Sequence, residues 1–247
     1  MEEEMTFADI HIHILPNLDD GARSFEEACE MLDAAYAEGA RLICCTPHFG
    51  SRICASDPEQ VLSSFSKLTS YSEKYPDLQL CLGNELHYSP VCLAAVRNGK
   101  CMTLNGSRYL LVDFDENEAE TVIRSALKRI LNEGFIPVLA HAERYRNLSV
   151  KPKDIVTLRK DGVVVQVDAG SVFGGWGWNS RVRSRRLLRN HLADVIASDG
   201  HNTGSRPPEL RNCYEFIAGK CGHEYARRIF CDNPHFILKD MSIPKRI

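Results

Sequence analysis

Several features that would define a class of protein are missing from this sequence of 247 residues. It has no basic excess, since 30 lysines and arginines face 33 acidic residues, and its net charge of −3 excludes a general field for nucleic acid or anionic membranes. No apolar run approaches the roughly 18 residues that span a bilayer. The N-terminal residues MEEEMTFADI carry acids where a signal peptide carries basic residues. We therefore expect a cytoplasmic protein without membrane insertion.

Cysteine pairs of the C-x-x-C type are also absent, although the chain has 10 cysteines. A disulfide framework is typical of short secreted chains, and a cysteine zinc site needs closely spaced pairs. These cysteines fall within apolar stretches, as Cys29, Cys44, Cys45 and Cys81 do. We expect them to be small buried hydrophobic residues.

What the sequence does contain is an alternation of strand and helix patterns. Ser24 and Glu27 have capping-box spacing at one helix start, and Asp57 with Pro58 begins another helix. Seven βα units with short loops favour an α/β fold, a distorted (β/α)7 TIM-like barrel, as a single domain over residues 1–247. The predicted strands cover residues 7–14, 41–46, 78–82, 109–114, 136–140, 163–167 and 194–198. The predicted helices cover residues 24–38, 57 onward, 90 onward, 119–133, 154–161, 181–191 and 210–230, the last broken near Gly222.

Histidine and carboxylate residues recur at the ends of these strands. In a parallel barrel all the carboxyl ends open on one face, so the side chains are expected to meet there. Imidazole and carboxylate ligands suit Mn, Fe or Zn, and two such ions can activate a water for attack on phosphorus. The pattern predicts a multinuclear catalytic metal site. Its residues are His11, His13, His48, Glu85, His141, Asp199 and His201.

The first strand offers a test of this prediction through its alternation. Residues i and i+2 of a strand share a face, so H-x-H brings two imidazoles to one side. We expect Asp9, His11 and His13 to face the interior, and the isoleucines at 10, 12 and 14 to pack against helices. Asp9 then either orients a ligating histidine or forms a hydrogen bond on the barrel floor.

The motifs occur in a characteristic order along the chain: DIHIHILPNLDDGA, TPH, GNELHY, LAHAERY, and IASDGHN followed by RPP. In this order they resemble the PHP superfamily. More closely, they are similar to the manganese-dependent bacterial protein-tyrosine phosphatases of capsule and exopolysaccharide loci, the CpsB/CapC/YwqE type. The resemblance implies a PHP-type metallophosphatase domain that hydrolyses phosphotyrosine on a protein. The implied partner is a bacterial tyrosine kinase that regulates capsular or exopolysaccharide synthesis.

The resemblance also implies a site with three metal ions, Mn²⁺ by preference, with Fe or Zn as alternatives. The first ion would be held by His11, His13, Glu85 and Asp199, and the second by His48, Glu85 and His141. The third would be held by Asp20 and His201, with Asp19 as a substitute for Asp20. Arg144 and Arg206 match the catalytic arginines that clamp the phosphate. A metal-bound hydroxide would be the nucleophile, so no phosphoenzyme is expected.

Some residues near these motifs leave open interpretations. Asp168 replaces an asparagine of the family pattern and adds negative charge near the site. The two tryptophans of the chain lie in the loop FGGWGWN, where Trp176 or Trp178 either flanks the phosphotyrosine ring or makes a packing or oligomer contact. Asp113 is interpreted as a loop residue, and Glu143 as a solvated or salt-bridging neighbour of Arg144.

Rival functions rest on two other stretches. Residues 221–227 have the C-x5-R spacing of cysteine-dependent phosphatases, but they lie in a helical pattern without the glycines of a phosphate-binding loop. The arginine-rich run 181–189 is interpreted as a solvated helix face rather than a nucleic-acid site or a dock for an acidic phosphorylated tail. The alternatives are therefore a small-molecule phosphomonoesterase similar to histidinol-phosphate phosphatase, a PHP-type nucleic-acid-processing protein and a metal-binding protein without turnover. The oligomeric state stays open, a homo-oligomer included.

Overall fold

The computed structural model describes residues 6–50 and 57–244, and every strand pair in it is parallel. The strands are β1 Phe7–Ile12, β2 Ala40–Cys45, β3 His48–Phe49, β4 Gln79–Leu82, β5 Glu85–His87, β6 Tyr109–Asp113, β7 Ile136–Leu139, β8 Val164–Asp168 and β9 Val195–Ala197. They form two sheets, in the orders β1-β2-β4 and β3-β5-β6-β7-β8-β9.

The two sheets form one curled parallel arrangement. Only Thr46 and Pro47 separate β2 from β3, and only Gly83 and Asn84 separate β4 from β5. At the other edge, a parallel bridge joins Ile12 to Gly200, beyond the end of β9. The protein is therefore an α/β fold with a curled parallel sheet. Each strand predicted from the sequence overlaps an observed one, and β3 and β5 are short additions.

Helices connect the strands and cover the sheet. Ser24 accepts a hydrogen bond from the backbone N–H of Glu27, and Asp57 accepts one from Glu59, as the capping patterns predicted. The helix at Ala169–Phe173, α6, was not predicted, because five residues are too few to show a helical period. The helices are α1 Phe25–Ala37, α2 Pro58–Ser72, α3 Cys92–Arg97, α4 Glu120–Asn132, α5 Pro152–Asp161, α6 Ala169–Phe173, α7 Gly177–Arg189, α8 Arg211–Cys221, α9 His223–Arg227 and α10 Asn233–Leu238. A 3-10 turn at Leu104–Gly106 and a π-helical turn at Arg228–Asp232 complete the elements.

The alternation predicted for β1 is wrong at its centre. The pairing of β1 with β2 shifts register between Asp9 and Ile12. The side chain of Ile10 lies in the same apolar cluster as Val164 of β8. Gln166, two residues after Val164, is on the same face of β8, and its side chain contacts the ring of His11. Two consecutive residues, Ile10 and His11, therefore point to the same side, as an inserted residue in a strand allows.

The hydrogen bonds of Asp9 decide whether it orients a ligating histidine or forms a hydrogen bond on the barrel floor. Its carboxylate accepts hydrogen bonds from the backbone N–H groups of His11 at 3.3 Å and Ser198 at 3.1 Å. Burial raises its pKa to about 6, and the hydrogen bonds from Ser198 oppose that rise. Asp9 thus forms hydrogen bonds that link β1 to the chain after β9, which is the second of the two alternatives. Ile12 and Ile14 pack with α1, as predicted.

Candidate metal centre

The strand ends bring the predicted ligand residues into one buried cluster. β3 and β5 pair so that His48 lies directly opposite Glu85. His141 and Asp199 follow β7 and β9 with left-handed backbone, at φ of 32° and 52°. Such conformations are uncommon for residues other than glycine, and they turn these two side chains sharply at the strand ends. The sheet therefore points all the candidate ligands at a single volume.

The ligand atoms fall into three overlapping groups, and within each group all atoms lie within 4.8 Å of one another. Glu85 belongs to two groups and His13 to two. The groups are His11, His13 and Glu85; Glu85, Asp113 and His141; and His13, Asp20, His48 and His201. Asp199 lies against the first group, with Oδ1 3.3 Å from Nε2 of His11. This grouping differs from the sets expected from the resemblance, because His48 joins Asp20 and His201 and because Asp113 is added.

Glu85 is the centre of the cluster. Its Oε2 lies 2.9 Å from Nδ1 of His48, 3.2 Å from Nε2 of His13 and 3.4 Å from Nε2 of His11. Its Oε1 lies 2.9 Å from Nε2 of His141. The Nε2 atoms of His11 and His13 are themselves 3.2 Å apart, a contact that two neutral acceptor nitrogens would not favour. A shared cation satisfies this arrangement, and the nitrogen and oxygen donors fit Mn, Fe or Zn.

The charges of the cluster also favour bound cations. Burial alone would lower the pKa of His11, but the carboxylates of Glu85 and Asp199 raise it to about 10. Burial likewise opposes the rise of the His48 pKa to about 11, which Glu85 and Asp20 cause. The buried carboxylates thus favour positive charge next to them, either as protons on His11 and His48 or as bound metal ions. Metal ions binding to these groups would displace those protons.

Two further side chains hold the histidine rings in place. Asp19 Oδ2 lies 2.7 Å from Nδ1 of His13 and also accepts the backbone N–H of His48 at 2.9 Å. Gln166 Oε1 lies 3.2 Å from Nδ1 of His11 and accepts the backbone N–H of His141. Such partners fix the orientation of ligating imidazoles. Asp19 therefore lies behind the His13 ring, whereas Asp20 lies within a group of candidate ligand atoms.

The DDGA motif has a steric reason for its glycine. A Cβ atom at Gly21 would lie 2.0 Å from the carbonyl oxygen of His13. The chain must therefore pass this close for Asp19 to reach the His13 ring, and only glycine fits.

Asp113 was misinterpreted as a loop residue, since it is the last residue of β6 and faces the cluster. Its Oδ1 lies 3.6 Å from Nε2 of His141 and accepts the hydroxyl of Tyr145 at 3.1 Å. Its Oδ2 lies 3.0 Å from Nδ1 of His87 and raises the pKa of that ring. The position of Asp113 at the end of a strand, like that of the other candidate ligands, could have identified it from the sequence.

Two arginines converge beside this cluster. Arg144 and Arg206 each place a guanidinium nitrogen 2.8 Å from Oδ2 of Asp199. Both line a cleft of about 740 Å³ together with the candidate metal ligands. Guanidinium groups bind phosphoryl oxygens with paired hydrogen bonds, so the cleft offers a phosphate position next to the metal positions.

Trp176 contacts both arginines. The Cζ atoms of Arg144 and Arg206 lie 3.8 Å and 4.6 Å from the centroid of its ring, within the range of cation–π attraction. Trp178, in contrast, is 71% exposed. Of the two tryptophans that the sequence left open, Trp176 is therefore the one in the cleft.

Two buried carboxyl groups lie beneath Arg144. Asp168 is fully buried, accepts hydrogen bonds from Gln166 and Arg144, and has a pKa that burial and Asp199 raise. Glu143 is also fully buried and accepts the backbone N–H of Asp168. Burial and the charge of Asp168 raise the pKa of Glu143 to about 8. The expectation that Glu143 is a solvated neighbour or an ion-pair partner of Arg144 is wrong.

The arginine-rich helix α7 is not simply a solvated face. Arg183 donates hydrogen bonds to the carbonyl oxygens of Glu143, Tyr145 and Leu148, and so fastens the segment that carries Arg144. Arg185 donates to the carbonyl of Val172. The prediction of a solvated helix face was therefore wrong for Arg183, and Arg185 is only partly exposed. Arg186 and Arg189 remain exposed.

The C-x5-R match also fails on structural grounds. Cys221 ends α8, and burial raises the pKa of its thiol. A nucleophilic cysteine needs a lowered pKa.

Fold and site together define a class: an α/β protein with a buried cluster of candidate metal ligands, histidines and carboxylates, and with an arginine pair beside it. Comparisons with known proteins specify the family. The family described as "Capsular polysaccharide synthesis, CpsB/CapC" matches residues 7–239. The chain belongs to this family.

Individual relatives match over nearly their whole length. The tyrosine-protein phosphatase CpsB of Streptococcus pneumoniae is 34% identical over 241 residues, covering 95% of this chain and 99% of the relative. The tyrosine-protein phosphatase YwqE of Bacillus subtilis is 28% identical, covering 95% and 92%. A crystal structure from work on YwqE of Bacillus subtilis and CpsB of Streptococcus pneumoniae, described as unique metal-dependent tyrosine phosphatases, superposes with a TM-score of 0.88 at 27% identity, covering 97% of both chains.

A lactonase of Listeria monocytogenes shares the fold alone, with a TM-score of 0.56 at 12% identity. Within residues 6–50 and 57–244, no helix is both long and apolar enough to cross a membrane.

Proposed function

We propose that this chain is a metal-dependent protein-tyrosine phosphatase that acts on a bacterial tyrosine kinase controlling capsular or exopolysaccharide synthesis. The observation that carries the proposal is the convergence of Arg144 and Arg206 on Asp199 at the edge of the histidine–carboxylate cluster. Relatives named tyrosine-protein phosphatases over nearly the full chain support the choice of substrate.

The proposed metal complement is three ions, with Mn²⁺ preferred. The ligands are His11, His13, Asp20, His48, Glu85, His141, Asp199 and His201, with Asp113 added to the ion near His141. When bound, such ions polarise phosphoryl oxygens and lower the pKa of a coordinated water.

The side chains of the chain itself bind and orient the substrate. Arg144 is mostly buried and Arg206 partly so, which strengthens their attraction for a phosphoryl group. Both guanidinium groups now pair with Oδ2 of Asp199, and phosphoryl oxygens offer the same kind of acceptor. Asp168 pairs with Arg144 from beneath and limits its motion. The guanidinium groups of Arg144 and Arg206 can thus stabilise negative charge that develops on the phosphoryl group without having to reorganise.

The proposal also includes the type of barrel, the number of domains and the location of the protein. The bridge between Ile12 and Gly200 supports a closed, distorted (β/α)7 barrel of PHP type. The continuity of β2 with β3 and of β4 with β5 supports counting seven long strands. We assign residues 1–247 to one domain and place the protein in the cytoplasm, where its kinase partner would present phosphotyrosine.

A substrate comparison tests this function. Turnover of a phosphotyrosine peptide, histidinol phosphate and a nucleotide should be measured with Mn²⁺, Fe²⁺ and Zn²⁺ added in turn. The expected result is the highest kcat/KM for the peptide, with Mn²⁺ the best activator. A higher kcat/KM for histidinol phosphate would instead indicate a small-molecule phosphatase.

A further inference from the structure

A second cavity, of about 670 Å³, adjoins the catalytic cleft across Trp176. Trp176, Asp199 and Arg206 line both spaces, so the second cavity is continuous with the proposed phosphate position. Its volume lies within the range of about 300–1,000 Å³ that is usual for ligand pockets. None of the residues assigned to metal binding, apart from Asp199, lines it.

The walls of this cavity are largely apolar. They come from α6, from the turn between α6 and α7, from the segment between β9 and α8, and from the start of α8. The apolar lining residues are Ala169, Gly170, Phe173, Trp176, Pro207 and Cys213. Gly174 and Gly177, with left-handed φ of 98° and 86°, allow the turn that places Trp176 over the arginines and opens the space behind it.

The charges of the cavity limit what it can bind. Asp199 and Arg206 also line the metal cleft, where Asp199 is assigned to a metal ion and Arg206 to the phosphoryl group, so neither charge is left for this cavity. The remaining charged lining residue is the exposed carboxylate of Glu209. An acidic or phosphorylated group would therefore be repelled, whereas an uncharged apolar group would gain by leaving water.

We propose that this cavity binds a large apolar side chain, aliphatic or aromatic, of the substrate protein within two positions of the phosphotyrosine. The inference rests on the proposed phosphatase function and adds a sequence preference to it. The phosphoryl group would occupy the metal cleft, and the neighbouring side chain would lie across Trp176 in the second cavity. Consecutive residues of an extended peptide are close enough for both to be engaged, since strands rise about 3.3 Å per residue.

The test compares phosphotyrosine peptides that differ only in the residues flanking the phosphotyrosine: glycine, leucine, phenylalanine or glutamate. With Mn²⁺-loaded protein, kcat/KM should be roughly tenfold or more higher for leucine or phenylalanine than for glycine, as burial of such a side chain predicts. Glutamate should fall below glycine. Equal kcat/KM for the leucine and glycine peptides would overturn the proposal.

A variant that fills the second cavity tests whether the preference for an apolar flanking residue depends on this cavity. A Cβ atom added at Gly170 meets nothing within 4 Å, and the position is not left-handed, so Gly170→Leu projects into open space. The leucine-to-glycine ratio of kcat/KM should then fall towards one. Gly219→Leu is the matched control, because Gly219 is an equally open helical position away from the cavity, and this variant should keep the wild-type ratio.

Two further outcomes complete the design. If Gly170→Leu folds poorly, Phe173→Ser removes apolar lining from the same cavity and should also lower the ratio. A ratio that persists in both variants would overturn the assignment of this cavity. If the wild-type protein hydrolyses neither the peptides nor a simple aryl phosphate, the proposed function itself fails, which is distinct from hydrolysis without preference.

Discussion

Replacement of Trp176 by alanine should weaken catalysis without removing metal. The indole contacts the guanidinium groups of both Arg144 and Arg206, and each cation–π contact contributes about 0.5–1 kcal/mol in partly exposed surroundings. Loss of both contacts therefore removes about 1–2 kcal/mol of support for the phosphate-binding arrangement. Since 1.4 kcal/mol is tenfold, kcat/KM for an aryl phosphate should fall roughly 5- to 30-fold.

The assay is steady-state turnover of an aryl phosphate with added Mn²⁺, together with inhibition by inorganic phosphate and metal content by mass spectrometry. Trp176→Phe should retain most of the activity, because phenylalanine also presents an aromatic face to a cation. Trp178→Phe is the control from the same loop, since Trp178 is mostly exposed. Wild-type kcat/KM and phosphate inhibition in Trp176→Ala would refute the reasoning, and loss of metal would show that Trp176 supports the ligands instead.

Three other predictions concern charge. Arg206→Ala should lower turnover while metal content stays unchanged; metal loss in that variant would mean that its pairing with Asp199 is structural. Asp194→Ala removes the carboxylate that pairs with the buried guanidinium of Arg159, and it should lower the free energy of unfolding by about 3–5 kcal/mol. Glu133→Ala, which breaks the more exposed pair with Arg97, is the control and should cost about 0–1 kcal/mol. Urea denaturation measures both. Glu143, with a folded pKa of about 8 against an ordinary 4.5, holds a proton that the unfolded chain loses, so stability falls as pH rises between those values. Glu143→Gln should reduce that fall in chelated protein, and unchanged pH dependence would contradict the assigned pKa.

The elements and strand ends could be predicted because their signals are local. Capping at Ser24 and Asp57 depends on residues two or three positions away, and the structure contains both caps. The positions of His48, Glu85 and His141 depend only on where a parallel strand ends, which apolar runs indicate well. Motif order added Asp20 and the arginines, because these residues follow recognisable strings.

The features that were missed depend on contacts between distant parts of the chain. The register shift in β1 depends on its pairing with β2, which its own sequence does not reveal. Glu143 is buried where it accepts the backbone N–H of Asp168, 25 residues later in the chain. The place of Trp176 over the arginines depends on α6, a helix too short to show a period. Charged or aromatic residues in such loops look solvated until the tertiary fold is known.

The central claim is that metal ions held by the histidine–carboxylate cluster, and not a thiol, sustain hydrolysis of phosphotyrosine. The most direct measurement is phosphate release from a phosphotyrosine peptide by one protein preparation treated with a chelator, with a chelator followed by Mn²⁺, and with iodoacetamide. Activity should vanish with the chelator, return with Mn²⁺ and survive iodoacetamide. Activity that resists the chelator but is lost on thiol alkylation would contradict the account.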